Sequence, residues 1–142
     1  MPVTTAFCTS FKRQLLQGQH NFTNGTGNTF KIALYTSTST LDATATAYTA
    51  TNEITGTGYT AGGNTLVNVT PTSPTTTAIT DFADTTWASS TITANGALIY
   101  NANATNAATI TLGFGSDRSS SNGDFTIVFP LADATNAIIR IA

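Results

Sequence analysis

Charge is what this sequence has least of. Only 8% of its 142 residues are Asp, Glu, Lys or Arg, against roughly 25% in an average soluble domain. Five scattered basic residues cannot build a phosphate-tracking stripe, which argues against nucleic acid as a partner. Cysteine is nearly absent too. The single Cys8 excludes an internal disulfide framework and a cysteine-based zinc site, and a free, buried thiol is expected. His20 is the only histidine, so a His-based triad would have to be built around it. It lies in a turn-rich stretch with no G-x-S-x-G nearby, and an exposed loop position is expected. No apolar run approaches the ~20 residues that span a bilayer as a helix. "MPVTTAFCTSFKRQLLQ" lacks a basic segment followed by an apolar one, so neither a membrane partner nor a targeting signal is expected.

What remains is apolar and hydroxylic. Apolar residues make up 40% of the chain and mean hydropathy is +0.04, which argues against disorder. A chain of this length folds as one domain and buries roughly 68–70% of its unfolded surface, so it needs no staples. Threonine outnumbers all charged residues together. A net charge of -2 gives little mutual repulsion, and low net charge favours association.

Along the chain one helical signal stands near the start. Thr9 or Ser10 can cap it, Phe11, Leu15 and Leu16 form a small apolar face, and Gly18 can stop it. Residues 1–22 are read as an N-terminal arm or short helix, and 23–142 as a β-sandwich domain. In "FKIALYT", Phe30, Ile32 and Leu34 alternate with Lys31, Ala33 and Tyr35, which is strand periodicity. "STSTLDATATAYTATNE" reads as an extended or loosely helical excursion, because its threonines disfavour helix. "NTLVNVT" is a strand expected to stop at the Pro71 to Pro74 turn. "TAITDFA", "ASSTITANGALIYNA", "AATITLGFG", "DFTIVFP" and "NAIIRIA" are further strands bounded by turn residues. The fold class expected is all-β, an antiparallel sandwich or jelly-roll-like single domain.

"EITGTGYTAGGNTL" looks like a phosphate loop, but the spacing Gly56, Gly58, Gly62, Gly63 misses the dinucleotide fingerprint, no P-loop lysine follows, and a strand comes next. These glycines are expected to shape a tight turn or hairpin around Tyr59, with positive φ. Asp81 and Asp84 could suggest paired carboxylates for glycoside hydrolysis, but three residues apart on an extended chain they face opposite ways. Turn capping before the strand that carries a core Trp87 is the plainer expectation. "GSDRSSSNGDF" brings Asp117 and Asp124 around a polar loop without the spacing of a calcium loop; a hairpin turned by "NGD" is expected, with a weak ion site left open. Sequons at Asn21, Asn24, Asn68 and Asn103 are what this composition produces by itself. No catalytic, cofactor-binding or metal-binding set emerges, and no cofactor is expected.

Four pieces in order carry a resemblance: T-G-x-G-Y-x-A-G-G at Thr55–Gly63, D-x-x-W at Asp84–Trp87, A-[LV]-I-Y at Ala97–Tyr100 and F-G-[SA]-D at Phe114–Asp117. Together with "FKIALYTSTSTLDATATAY" upstream, the chain from Phe30 onward resembles a family of small structural proteins of tailed bacteriophages. The resemblance implies a virion protein made in the host cytoplasm. It makes Gly56, Gly58, Tyr59, Gly62 and Gly63 a fold hallmark, and it supplies no catalytic residue. With small size and a nearly charge-free surface, the expectation is a capsid decoration or cement protein. Its partners would be the major capsid protein, copies of itself, or both. Phe11, Leu15 and Leu16 would sit on an arm that inserts into a neighbour. The alternatives are a tail, adaptor or fibre component, or a carbohydrate-binding module that displays Tyr35, Tyr48, Tyr59, Trp87 and Tyr100 as an exposed strip.

Overall fold

Strand-forming sequence dominates from Phe30 onward, and the computed structural model, which describes residues 2–142, turns it into antiparallel sheet. The elements in chain order are β1 (Ala6–Phe7), α1 (Thr9–Leu16), β2 (Phe30–Tyr35), β3 (Asn64–Thr65) and β4 (Asn68–Thr72). Then come β5 (Ala78–Phe82), β6 (Thr85–Ser90), β7 (Thr93–Asn101), β8 (Ala107–Ser119), β9 (Gly123–Ile127) and β10 (Ile139–Ile141). The all-β expectation holds. The sheets are antiparallel: one five-stranded sheet, β1-β8-β7-β2-β3, is accompanied by a three-stranded sheet β10-β5-β4 and a ribbon β6-β9.

β2 and β7 form the centre, paired from Phe30 with Asn101 to Tyr35 with Gly96. Alternation sends Phe30, Ile32 and Leu34 to one face and Lys31, Ala33 and Tyr35 to the other. Both faces are covered, which is why β7, "TANGALIYN", is buried from Ala94 to Asn101. On the Phe30 face the ring of Phe30 stacks on Phe22 at 4.3 Å and meets Phe82 of β5 at 5.7 Å. Phe129 extends the group, 5.5 Å from Phe82. The Tyr35 face is covered by the segment 36–63, which makes turns and isolated bridges and no helix, so the extended reading of that segment is the right one.

β8 carries a bulge. Between the pairs Ala94 with Arg118 and Gly96 with Gly113, residues 114–117 stand opposite Asn95 alone. Gly115 adopts φ +79° there, and Asn95 Nδ2 closes the bulge by donating to Asp117 Oδ1 at 2.9 Å. This is the F-G-S-D stretch.

The N-terminal segment is part of the core, not a free arm. Val3, Cys8, Phe11 and Phe22 are buried, and β1 adds an edge to β8. Val3 lies over the facing pair Gly96 and Gly113, where any Cβ would collide with it. Within α1 only Phe11 is buried; Leu15 is half-buried and Leu16 is 92% exposed, so the three do not share one face against the core. Cys8, not Thr9 or Ser10, occupies the N-cap and offers no side-chain bond, whereas Gly18 closes the helix with φ +70° as expected. Two turn assignments also change. β4 runs through Pro71 with a register shift, because an edge position spares proline's missing N–H. "NGD" joins β8 to β9, which pair with different strands, so no hairpin forms.

Candidate functional site

The glycine loop builds a site whose organiser is Glu53, the chain's only glutamate. Glu53 pairs with the end of β2 through a bridge to Tyr35, which turns its side chain back toward the sheet. Its Oε2 accepts the hydroxyl of Tyr48 at 2.6 Å, and its Oε1 accepts both the hydroxyl of Tyr59 and the backbone N–H of Gly62, each at 2.7 Å. Tyr59 also accepts the N–H of Leu34 at 2.9 Å, so one phenol joins loop to central strand. Tyr100 donates to Gly62 O at 2.7 Å and stacks on Tyr48 at 4.9 Å, while Tyr35 donates to Thr49 O at 2.6 Å. All four tyrosines of the chain meet here.

The glycines are needed for two reasons at once. Gly56, Gly58, Gly62 and Gly63 have φ of +155°, +85°, +94° and +76°. At Gly56, Gly58 and Gly63 space is also lacking. A Cβ on Gly56 would lie 2.6 Å from Thr91 O, one on Gly58 2.9 Å from Ser90 Cα, and one on Gly63 would overlap Ile32 O. The first half of the loop therefore rests on the β6–β7 junction and the second half on β2. Tyr59 stacks on Trp87 of β6 at 6.0 Å across the same junction. The expected hairpin is instead a strap of two tight turns, closed by Tyr59 N–H to Gly56 O and Gly63 N–H to Thr60 O. The loop does cradle an anion, as its appearance suggests, but the anion is the chain's own carboxylate.

Burial dominates the electrostatics. It pushes the phenols of Tyr48 and Tyr100 up to about 12, with Glu53 adding to both, and raises Tyr35 and Tyr59 further. Each phenol thus stays a neutral donor, and both oxygens of Glu53 are engaged. The solvent side of the cluster borders a shallow cleft of about 320 Å³ whose hydroxyls come from Thr36, Thr55, Thr91, Thr93 and Ser120.

The other sequence candidates lie apart from it. Tyr35, Trp87 and Tyr100 are buried and Tyr48 and Tyr59 half-buried, so no exposed aromatic strip forms. The indole N–H of Trp87 has no acceptor among the described residues. His20 is not an exposed loop residue: it is half-buried, 2.8 Å from Gln14 Oε1 and 2.9 Å from Asn101 Nδ2, and packs on Phe11. Burial lowers its pKa. Asp81 is buried within β5, accepting from Phe82 N–H at 2.8 Å, and burial raises its pKa. Asp84 is exposed and accepts Phe129 N–H at 2.8 Å, 45 residues away, so neither caps a local turn. Asp117 belongs to the β8 bulge, and among the described residues no group of three His, Cys, Asp or Glu is placed to hold a metal ion. Cys8 is buried as expected, its thiol pushed up to about 11 by desolvation.

Glu53 was missed by sequence reasoning. The signal available was its uniqueness and its place three residues before the first glycine of the loop. No protein-family model, curated protein or solved structure matches the chain.

Proposed function

We propose that this chain is a structural protein of a tailed-bacteriophage particle, and within it a decoration protein that bridges capsomers of the head. The observation that carries this reading is where the four shared sequence pieces fall. The glycine loop straps β6 to β2, Trp87 packs beneath it, Ala97–Tyr100 form the middle of β7, and Phe114–Asp117 make the β8 bulge. Each is built into the scaffold. A resemblance made of scaffold residues is a resemblance in architecture, and a surface so poor in charge suits a chain packed against copies or a partner. A decoration protein gains its hold from many modest contacts repeated by symmetry.

The test is the copy number of the protein in purified particles, by quantitative mass spectrometry against the major capsid protein. A ratio near that of capsomers or capsid subunits supports decoration of the head. A handful of copies per particle moves the protein to the tail, and its absence from particles overturns the reading. Deletion of residues 2–21 is no clean test of an inserting arm, because it also strips Val3, Cys8 and Phe11 from the core.

A further inference from the structure

β8 loses its β1 partner after Thr111, and β9 pairs only with β6. Between the far half of β8 and β9 runs an open groove of about 530 Å³. Its apolar lining includes Leu112, Phe114, Ile127 and Val128, and Val128 is 73% exposed. Two opposite charges share this groove, Arg118 from β8 and Asp124 from β9. They are conspicuous in a chain with so few. Asp124 accepts a single long bond, from Ser89 N–H at 3.4 Å, and is the least satisfied of the carboxylates. Arg118 is exposed, and its side chain makes no hydrogen bond or ion pair among the described residues.

We propose that this groove docks a second copy of the chain across a two-fold axis, so that Arg118 of each copy meets Asp124 of the other. The argument is charge complementarity. A two-fold contact requires a patch that complements itself, and one positive and one negative group on an apolar strip meet that requirement. An acidic partner would be repelled by Asp124 and a basic one by Arg118, whereas a second copy satisfies both. The contact deepens the structural reading above and rests on it for the copies being crowded together. Its own test needs no particle.

Sedimentation equilibrium of the full chain, of Arg118→Asp, of Asp124→Arg and of the double exchange reads it directly, with circular dichroism confirming that each variant is folded. Both positions are exposed, so the fold should be untouched. Either single reversal should weaken self-association by about tenfold or more, since each sets like charges together twice, and the double exchange should restore it. A wild-type chain monomeric up to its solubility limit overturns the proposal. So does association that the single reversals leave unchanged or the double exchange fails to rescue. If the groove fails while the copy number stays capsomer-like, only this contact is lost; a self-associating chain absent from particles leaves the contact and removes the function.

Discussion

The two faces of the central sheet are held by different physics. On one, Phe22, Phe30, Phe82 and Phe129 make a run of ring contacts that joins the five-stranded sheet to β5. On the other, four tyrosines and Glu53 hold an irregular segment of 28 residues, 36–63, by directional hydrogen bonds. Ring packing is tolerant of angle, and here it joins Phe30 and Phe82 of the strands to Phe22 and Phe129 of the flanking loops. A segment without regular structure has no ladder to lock it, so its position must be specified by groups that accept only one geometry. The lesson is that hydroxyl-bearing aromatics were placed where the fold needs both a filled volume and a fixed direction.

Alkali should break that comparison most completely. The tyrosine face needs neutral phenols, and an unfolded phenol ionises near pH 10. Because folding raises the tyrosines, the folded chain keeps protons that the unfolded chain releases. This contribution is complete below about pH 10 and is lost as pH rises through the values of about 12 held by Tyr48 and Tyr100. Phenolate absorbance should therefore appear in one steep step together with loss of the fold, not in four gradual titrations. Separate early titration of any buried tyrosine would show that the cluster opens locally.

Phe30→Ala addresses the opposite face. It removes a fully buried ring between Phe22 and Phe82, and chemical denaturation should show a loss of about 3–5 kcal/mol. On the polar face, Gly63→Ala combines positive φ with the overlap against Ile32 O, for a loss of roughly 3 kcal/mol. Its amide-exchange signature should be confined to the loop and β2, whereas Phe30→Ala should loosen β5 as well. Glu53→Gln is the mildest, at about 2 kcal/mol, since the amide keeps one acceptor but turns a donor toward a hydroxyl. If Glu53→Gln cost nothing, the polar face would be held by ring packing like its opposite, and the contrast would dissolve.

Strand positions were legible because β-branched and aromatic residues alternate between clear turn signals, as in "FKIALY" and "DFTIV". What escaped was anything that depends on residues far apart in sequence. That Lys31, Ala33 and Tyr35 lie under cover follows from the return of 36–63 across the sheet, and nothing local in Phe30–Tyr35 announces it. Gly96 and Gly113 lie inside segments that read as strands with nothing to single them out, yet they are the floor on which Val3 sits, some 90 and 110 residues away along the chain. The glycine loop has the positive φ expected of it, and its carboxylate partner was overlooked because a lone Glu in a polar stretch resembles any solvated residue. His20 misled for the same reason: turn-like neighbours say nothing of Asn101.

One regularity runs through all of the acidic residues. Asp42 is held by Thr44, Glu53 by two phenols and an amide, Asp81 by Phe82 and Ile138, and Asp84 by Phe129. Asp117 is held by Asn95, Asp124 by Ser89, and Asp133 by Thr135 and Asn136. Every carboxylate of the chain is thus met by neutral dipoles of its own chain. Mobile ions screen attractions between charges over a Debye length of about 8 Å in physiological salt, but they do little to a dipole touching its acceptor. Folding of this chain should therefore respond weakly to ionic strength, whereas the proposed contact between copies through Arg118 and Asp124 would respond strongly, and salt would then act on assembly more than on the subunit.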